Sequence, residues 1–97
     1  MVRYLALLAF TEHGLSKVKE SIERASQFQS KVVAAGGRVL HQYWCIGECD
    51  GCLVFEVPND ETGAALLLEL GRAANVRTRT LRIFDDAEFE SILGKMN

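Results

Sequence analysis

The alternation of apolar and polar segments predicts how the chain divides into strands and helices. Residues 2–10 form an apolar run that stops at Thr11, and its shortness favours a buried strand over a helix. Between residues 15 and 32, apolar side chains recur every three or four positions, as on one face of a helix. Gly36 and Gly37 follow as a C-terminal stop. The pattern therefore predicts a first strand and one long helix over about residues 12–35.

The second half of the chain predicts three more strands and two more helices. Strands at 39–46 and 52–57 flank Asp50-Gly51, a residue pair typical of a two-residue type I′ turn. Pro58 ends the third strand because it has no N–H to donate within a sheet, and a largely apolar helix follows at 60–73. A fourth strand at 76–84 precedes the capping-box pattern Asp85-Asp86-Ala87-Glu88, which opens a short last helix.

The order of these elements, βαββαβ with an extra C-terminal helix, predicts a fold of the α+β class. Two split βαβ units make a ferredoxin-like domain with a four-stranded antiparallel sheet, and its helices lie on one face of that sheet. The chain has 97 residues, of which 48% are hydrophobic and 25% charged. That size and composition are typical of one folded domain, here residues 1–97.

Composition and charge argue against several classes of function. The net charge of −2 disfavours nucleic-acid binding, which needs a basic surface. No apolar run reaches the ~20 residues of a membrane-spanning helix, and the N-terminus shows no signal-peptide pattern. Three cysteines cannot all pair within one chain, so a reducing, cytoplasmic location is expected.

The predicted turn at Asp50-Gly51 assigns side chains to the two faces of the sheet. Alternation along the strands places bulky apolar residues on one face, which we expect the helices to cover. The other face is mixed and needs a partner, so we expect a homodimer or a larger assembly of dimers. This mixed face carries Val39, His41, Tyr43, Cys45, Gly47, Cys49, Cys52, Val54 and Glu56.

All three cysteines lie in one short segment with C-x3-C-x2-C spacing, as in many iron–sulfur enzymes. On an extended strand, however, Cys45 and Cys49 lie roughly 13 Å apart, at ~3.3 Å per residue. Metal ligands must converge far more closely, so we predict no metal and no cofactor. Cys49 and Cys52 lie opposite each other in the predicted hairpin. Thiol redox chemistry or metal binding through that pair therefore stays an alternative.

Titratable groups on the mixed face suggest candidate chemistry. His41 is the natural acid or base near neutral pH, and Glu56 or Arg82 would orient it or hold an anionic substrate. In the other interpretation, His41 and Glu56 only form polar contacts across a dimer interface. The candidate ligand-binding residues are Tyr43, Cys45, Cys49, Cys52, Thr78 and Thr80.

Two separated motifs resemble the GYD-domain family. Residues 47–51, GECDG, resemble its G-E-Y-D-G signature, and residues 75–84, NVRTRTLRIF, resemble its N-V-R-T-x-T-L-R-x-F strand. The segment FTEHG at 10–14 is similar to the end of that family's first strand. The resemblance implies a dimeric α/β barrel, in which two ferredoxin-like sheets pack face to face. Cys49 stands where the signature has tyrosine, so no role of that phenol transfers to this chain.

Three hypotheses for function remain open at this point. The first is a non-enzymatic, homo-oligomeric module that binds a small ligand or a partner at the sheet face. The second is a cofactor-independent enzyme, similar to the monooxygenases and isomerases of the wider α/β-barrel group, with His41 as acid or base. The third is a thiol redox or metal-binding protein. A cavity on which His41 and Arg82 converge would favour the enzyme.

Overall fold

Four strands and four helices are present in the computed structural model, which describes residues 1–97. The strands are β1 (Val2–Phe10), β2 (Arg38–Trp44), β3 (Gly51–Val57) and β4 (Val76–Ile83). The helices are α1 (Glu12–Ser16), α2 (Ser21–Ala34), α3 (Asp60–Arg72) and α4 (Asp86–Leu93), with a 3₁₀ turn at Val18–Glu20.

The strands form one antiparallel sheet in the order β2-β3-β1-β4, which is the ferredoxin-like arrangement. Helices α2 and α3 pack on one face of this sheet, and the core lies between the two layers. The predicted α+β fold is therefore confirmed. The core residues are Tyr4, Ala6, Phe28, Val32, Leu53, Phe55, Val57 and Leu66.

The helical region after β1 is interrupted, whereas the apolar pattern predicts one continuous helix. Lys17 has φ −117° and ψ 29°, which is outside the helical region, and it separates α1 from the 3₁₀ turn. The guanidinium of Arg24 donates to the carbonyl of Lys17 over 2.9 Å, which satisfies one backbone acceptor left free by the break. Thr11 caps α1 by accepting from the N–H of Gly14 at 3.0 Å.

The connection between β2 and β3 is a six-residue loop at 45–50, so the predicted two-residue turn is wrong. Trp44 opposite Gly51 is the last strand pair, and the loop closes where the N–H of Cys45 donates to the carbonyl of Asp50 at 2.9 Å. Asp50 is also held by β1, because its N–H donates to the carbonyl of Leu8 and its carboxylate accepts from the N–H of Phe10, both at 2.8 Å. These long-range bonds prevent Asp50 from forming the tip of a tight turn.

A bulge at Leu40 shifts the register of β2 by one residue. Val39 lies opposite Phe55, but the next pair is His41 with Val54, so Leu40 is an extra residue. Val39 consequently packs against the core instead of lying on the mixed face, where alternation alone had assigned it.

The C-terminal helix α4 begins with the predicted capping box. Asp85 accepts from the N–H of Glu88, and the Glu88 carboxylate accepts from the N–H of Asp85. Its apolar residues Phe89 and Leu93 are about half exposed. None of the helices has the length and apolar character needed to cross a membrane.

Candidate functional site

A pocket of about 140 Å³ lies between the helix-covered face of the sheet and helices α2 and α3. Leu8 and Leu53 belong to the sheet side of its lining, and Phe28 and Leu70 belong to the helix side. A cavity of about 150 Å³ is large enough to take up benzene, so this space fits one aromatic ring. The remaining lining residues are Phe10, Ser21, Arg24, Ala25, Gln27, Lys31, Gln42, Trp44, Asp50, Gly51, Glu69, Ala73, Asn75 and Val76.

Charged and polar side chains surround the apolar part of this pocket. Lys31 of α2 and Glu69 of α3 form an ion pair at 3.9 Å, which joins the two helices. Arg24 is bound only to backbone carbonyls and to Ser21, so its positive charge has no carboxylate partner within the chain. Trp44, the only tryptophan, is 45% exposed. The arrangement suits a flat, mostly apolar molecule with an acidic substituent, which would meet the free charge of Arg24.

The sheet divides the predicted catalytic residues between its two faces. Directly opposed residues share a face, and the pairs place Arg82, Thr80 and Thr78 beside Tyr4, Ala6 and Leu8 on the helix-covered side. His41 is opposite Val54 on the other side. The predicted convergence of His41 with Arg82 is therefore wrong, and so is the placement of Thr78 and Thr80 beside the mixed face.

Arg82 forms contacts that hold the start of α3 against the sheet. Its Nε lies 3.4 Å from the carboxylate of Asp60, and its guanidinium lies 4.6 Å from the centre of the Phe84 ring and 5.8 Å from that of Tyr4. The hydroxyl of Tyr4 donates to the same carboxylate of Asp60. Burial and this acidic neighbour raise the pKa of Tyr4 to about 12. Tyr4, Asp60 and Arg82 together fix α3 over the sheet.

Glu56 is buried in an ion-pair network, with only 5% of its surface exposed. Its carboxylate accepts from Arg38 at 2.7 Å and from Arg3 at 3.3 Å. The hydrogen bond from Arg38 is the main reason that the pKa of Glu56 lies below its usual range. Arg3 also lies 3.2 Å from Glu88, so the network joins three strands to α4. A carboxylate held in this way stabilises the sheet and is poorly suited to accept a proton from a substrate.

The uncovered side of the sheet, which we call the open face, has an apolar centre. Leu5 lies between Val54 and Leu81, while Leu7 lies between Cys52 and Arg79. Two candidate residues, His41 and Tyr43, stack at 6.2 Å between ring centres with an angle of 14°. Tyr43 is 60% exposed and Leu81 49%. The open face consists of Arg3, Leu5, Leu7, Ala9, Arg38, His41, Tyr43, Cys52, Val54, Glu56, Arg77, Arg79, Leu81 and Ile83.

The loop at 45–50 brings together two cysteines that strand geometry would separate. The N–H of Cys45 donates to the carbonyl of Asp50, the residue after Cys49, at 2.9 Å, and the neighbouring Cys45 side chain raises the pKa of Cys49. The predicted separation of about 13 Å is therefore wrong, because the residues lie in a loop and not on a strand. Cys52 lies opposite Tyr43 within the sheet, so it is not the hairpin partner of Cys49. All three cysteines are free, and no group of three metal-ligating side chains converges.

Sequence reasoning missed the pocket beneath the helices, although the sequence held a signal for it. Gln42 and Trp44 alternate with His41 and Tyr43, and alternation correctly assigned them to the helix-covered face. A polar amide on a face that should be filled by core residues indicates incomplete packing. The opposite charges of Lys31 on α2 and Glu69 on α3 come together at the pocket only in the folded chain.

The GYD-domain model matches residues 4–93 of this 97-residue chain, and no curated protein matches it. The matched range contains the loop at 45–50 and strand β4, which carry the two motifs that resemble the family's signature. The match covers nearly the whole chain, so the chain belongs to the GYD-domain family.

Proposed function

We propose that the protein is a homodimeric module that binds a small aromatic molecule with an acidic substituent in the pocket beneath α2 and α3. The observation that carries this proposal is the pocket itself, with about 140 Å³ of space, a lining of which half the residues are hydrophobic, and a cation without a carboxylate partner. We place the ligand in this pocket and not at the sheet face expected from the sequence. The residues predicted to line that face lie on both sides of the sheet.

Two separate interactions favour binding in this pocket, namely burial of the ring and an ionic contact. The ring displaces water from Leu8, Phe28 and Leu53, which favours any apolar ring of the right size. The acidic group meets Arg24, whose guanidinium donates only to neutral oxygens within the chain. Benzoate therefore binds more tightly than benzene, and the difference disappears in Arg24→Gln.

A titration monitored by NMR tests the ligand site. Benzoate and benzene should each shift the indole N–H signal of Trp44, a single reporter at the pocket. Ala25→Phe fills the pocket and should abolish these shifts. The matched control Ala64→Phe lies on the exposed side of α3 and should leave them unchanged. Circular dichroism checks that both variants are folded. Equal binding by Ala25→Phe and the wild type would refute the site.

A second copy of the chain is the proposed cover for the open face. Antiparallel sheets commonly leave one face in water, but such faces are usually polar, whereas this one centres on Leu5, Leu7 and Val54. A two-fold dimer buries the same patch on both subunits. Leu81→Glu places a charge on this patch and should yield a monomer by sedimentation equilibrium. Leu68→Glu, on exposed α3, should stay dimeric. A monomeric wild type throughout the micromolar range would end the proposal.

A cytoplasmic location is part of the same proposal, because three free thiols are kept reduced in that compartment. An enzymatic role for His41 gains no support from the fold, since the arginine expected to assist it lies on the opposite side of the sheet.

A further inference from the structure

Helix α4 begins on the same side of the sheet as the open face. Arg3 lies opposite Glu56 and Ile83 within the sheet, and its guanidinium lies 3.3 Å from the Glu56 carboxylate on that face. The same guanidinium lies 3.2 Å from Glu88 and 3.7 Å from Asp85, at the N-terminal end of α4. These contacts place the start of α4 at the Arg3 end of the open face.

Helix α4 presents an apolar stripe that the rest of the chain does not bury. With 3.6 residues per turn, Phe89, Ile92 and Leu93 fall along one side of the helix. All three side chains are exposed, and none of them belongs to the hydrophobic core. The stripe is therefore available to another surface.

Two carboxylates border this stripe and have no ion-pair partner within the chain. Asp86 and Glu90 lie about one turn apart, on the side of the stripe away from Glu88. Glu88 is the residue that contacts Arg3, so the other two carboxylates are turned away from this arginine. Neither Asp86 nor Glu90 forms an ion pair.

The opposite end of the open face carries two positive charges without partners. Arg77 and Arg79 lie two residues apart on β4, so both belong to the same face of the sheet. They lie opposite Ala9 and Leu7, respectively. Both arginines are exposed, and neither forms an ion pair within the chain.

A cavity of about 220 Å³ lies beside these arginines, where the sheet meets the loop at 45–50. Leu7, Ala9 and the two arginines line it, together with one carboxylate, that of Glu48. A cavity of about 150 Å³ takes up benzene, so this space can accept a phenyl ring.

A two-fold axis that crosses the strands near Leu5 brings the two ends of the open face together. Leu5 lies midway between Arg3 and Leu7 on β1, so the rotation places the Arg3 end of each copy over the Leu7 end of its partner. The start of α4 then lies over the partner's cavity. An eight-residue helix is about 12 Å long, which exceeds the ~6.6 Å between residues two apart on a strand. The helix can therefore span both arginines.

We propose that α4 of each subunit docks on the open face of a second copy of the chain, with the ring of Phe89 in the cavity. Asp86 and Glu90 then pair with the two arginines beside it. This inference rests on the proposed homodimer and adds the segment that joins its subunits. The contact combines an apolar centre with complementary charges at its edge, and the two-fold axis repeats it.

Charge reversal tests this contact through the dissociation constant of the dimer, measured by sedimentation equilibrium. Asp86→Lys/Glu90→Lys makes α4 basic, and Arg77→Glu/Arg79→Glu makes the facing end of β4 acidic. Each variant alone should raise the dissociation constant at least about tenfold, because like charges then meet at both copies of the contact. Phe89→Ala should raise it by a similar factor, since the cavity loses its apolar occupant.

Mixing the two charge-reversed variants provides the decisive measurement. In the heterodimer, the basic α4 meets the acidic β4, and the acidic α4 meets the basic β4. The equimolar mixture should therefore form a dimer about as tightly as the wild type. A helix α4 that had merely lost its structure would not recover on mixing. Lys17→Glu/Lys19→Glu is the control, because it changes the net charge as much as Arg77→Glu/Arg79→Glu does, at exposed residues outside the contact.

Two results would overturn the α4 contact and leave the dimer in place. One is a pair of charge-reversed variants that dimerise as tightly as the wild type while Leu81→Glu is monomeric. The other is a mixture that dimerises no better than its components. A wild type that stays monomeric throughout the micromolar range would instead remove the dimer, and the α4 contact with it.

Discussion

Replacing Glu56 with glutamine tests whether the ion-pair network at the end of the sheet is structural. Glutamine preserves the size of the side chain and one carbonyl oxygen, but it removes the charge and the second acceptor. Glu56 is 5% exposed, while the side chains of Arg3 and Arg38 are 26% and 68% exposed. The substitution therefore removes a buried anion and leaves two arginines that water still reaches in part.

The magnitude follows from the bonds that are lost. A hydrogen bond to a charged group contributes roughly 1.5–3 kcal/mol, and the glutamine side chain would retain a single neutral acceptor for two donors. The exposure of Arg38 reduces its share, because water screens the pair. We therefore expect Glu56→Gln to lower the free energy of unfolding by about 2 kcal/mol, which is below the ~3–5 kcal/mol of a fully buried pair.

The stability lost in Glu56→Gln depends on pH. The arginines lower the pKa of Glu56 in the folded state, below the ordinary value of 4.5. A carboxyl with a depressed pKa stabilises the fold above its unfolded value and loses that contribution as the pH falls through the folded value. The difference in the free energy of unfolding between wild type and Glu56→Gln is thus largest at neutral pH, and it shrinks as the pH falls below about 4.5.

Urea unfolding monitored by circular dichroism at one fixed protein concentration measures this difference at pH 7 and pH 3. Glu69→Gln is the control, because its pair with Lys31 is 48–61% exposed and spans 3.9 Å. That control should change stability by less than about 1 kcal/mol. The reasoning is refuted if Glu56→Gln costs no more than Glu69→Gln, or if its cost at pH 3 equals that at pH 7.

Three further predictions concern packing and titration. Spectrophotometric titration at alkaline pH should show one phenol that ionises near pH 12, and this signal should be absent in Tyr4→Phe. Because the pKa of Tyr4 is raised in the folded state, the protein loses stability as the pH rises above the usual tyrosine value of 10. Phe55→Ala should cost about 3–5 kcal/mol in urea unfolding, because Phe55 is fully buried; a cost below about 1 kcal/mol would contradict its place in the core. Gly37→Ala should lower the melting temperature, since a Cβ there would lie 2.1 Å from the carbonyl oxygen of Glu56. Gly71→Ala meets no atom within 4 Å and should be neutral or stabilising by about 0.5–1 kcal/mol.

Local patterns in the sequence are enough to predict the order of elements and the general fold. The apolar strand β1, the helix stripe of α2 and the capping box of α4 are local patterns, in which each residue interacts with neighbours a few positions away. The βαββαβ order then leaves few ways to build one sheet with its helices on one side. The family motifs are readable from the sequence for the same reason, since each occupies one short segment.

Which side chains meet depends on contacts between distant parts of the chain. The bulge at Leu40 and the six-residue loop changed the register, and a shift of one residue moves a strand side chain to the other face. Asp50 defines that loop through hydrogen bonds to β1, about 40 residues earlier in the chain. The pocket beneath the helices and the course of the loop at 45–50 depend on such long-range bonds, which no local pattern of residues encodes.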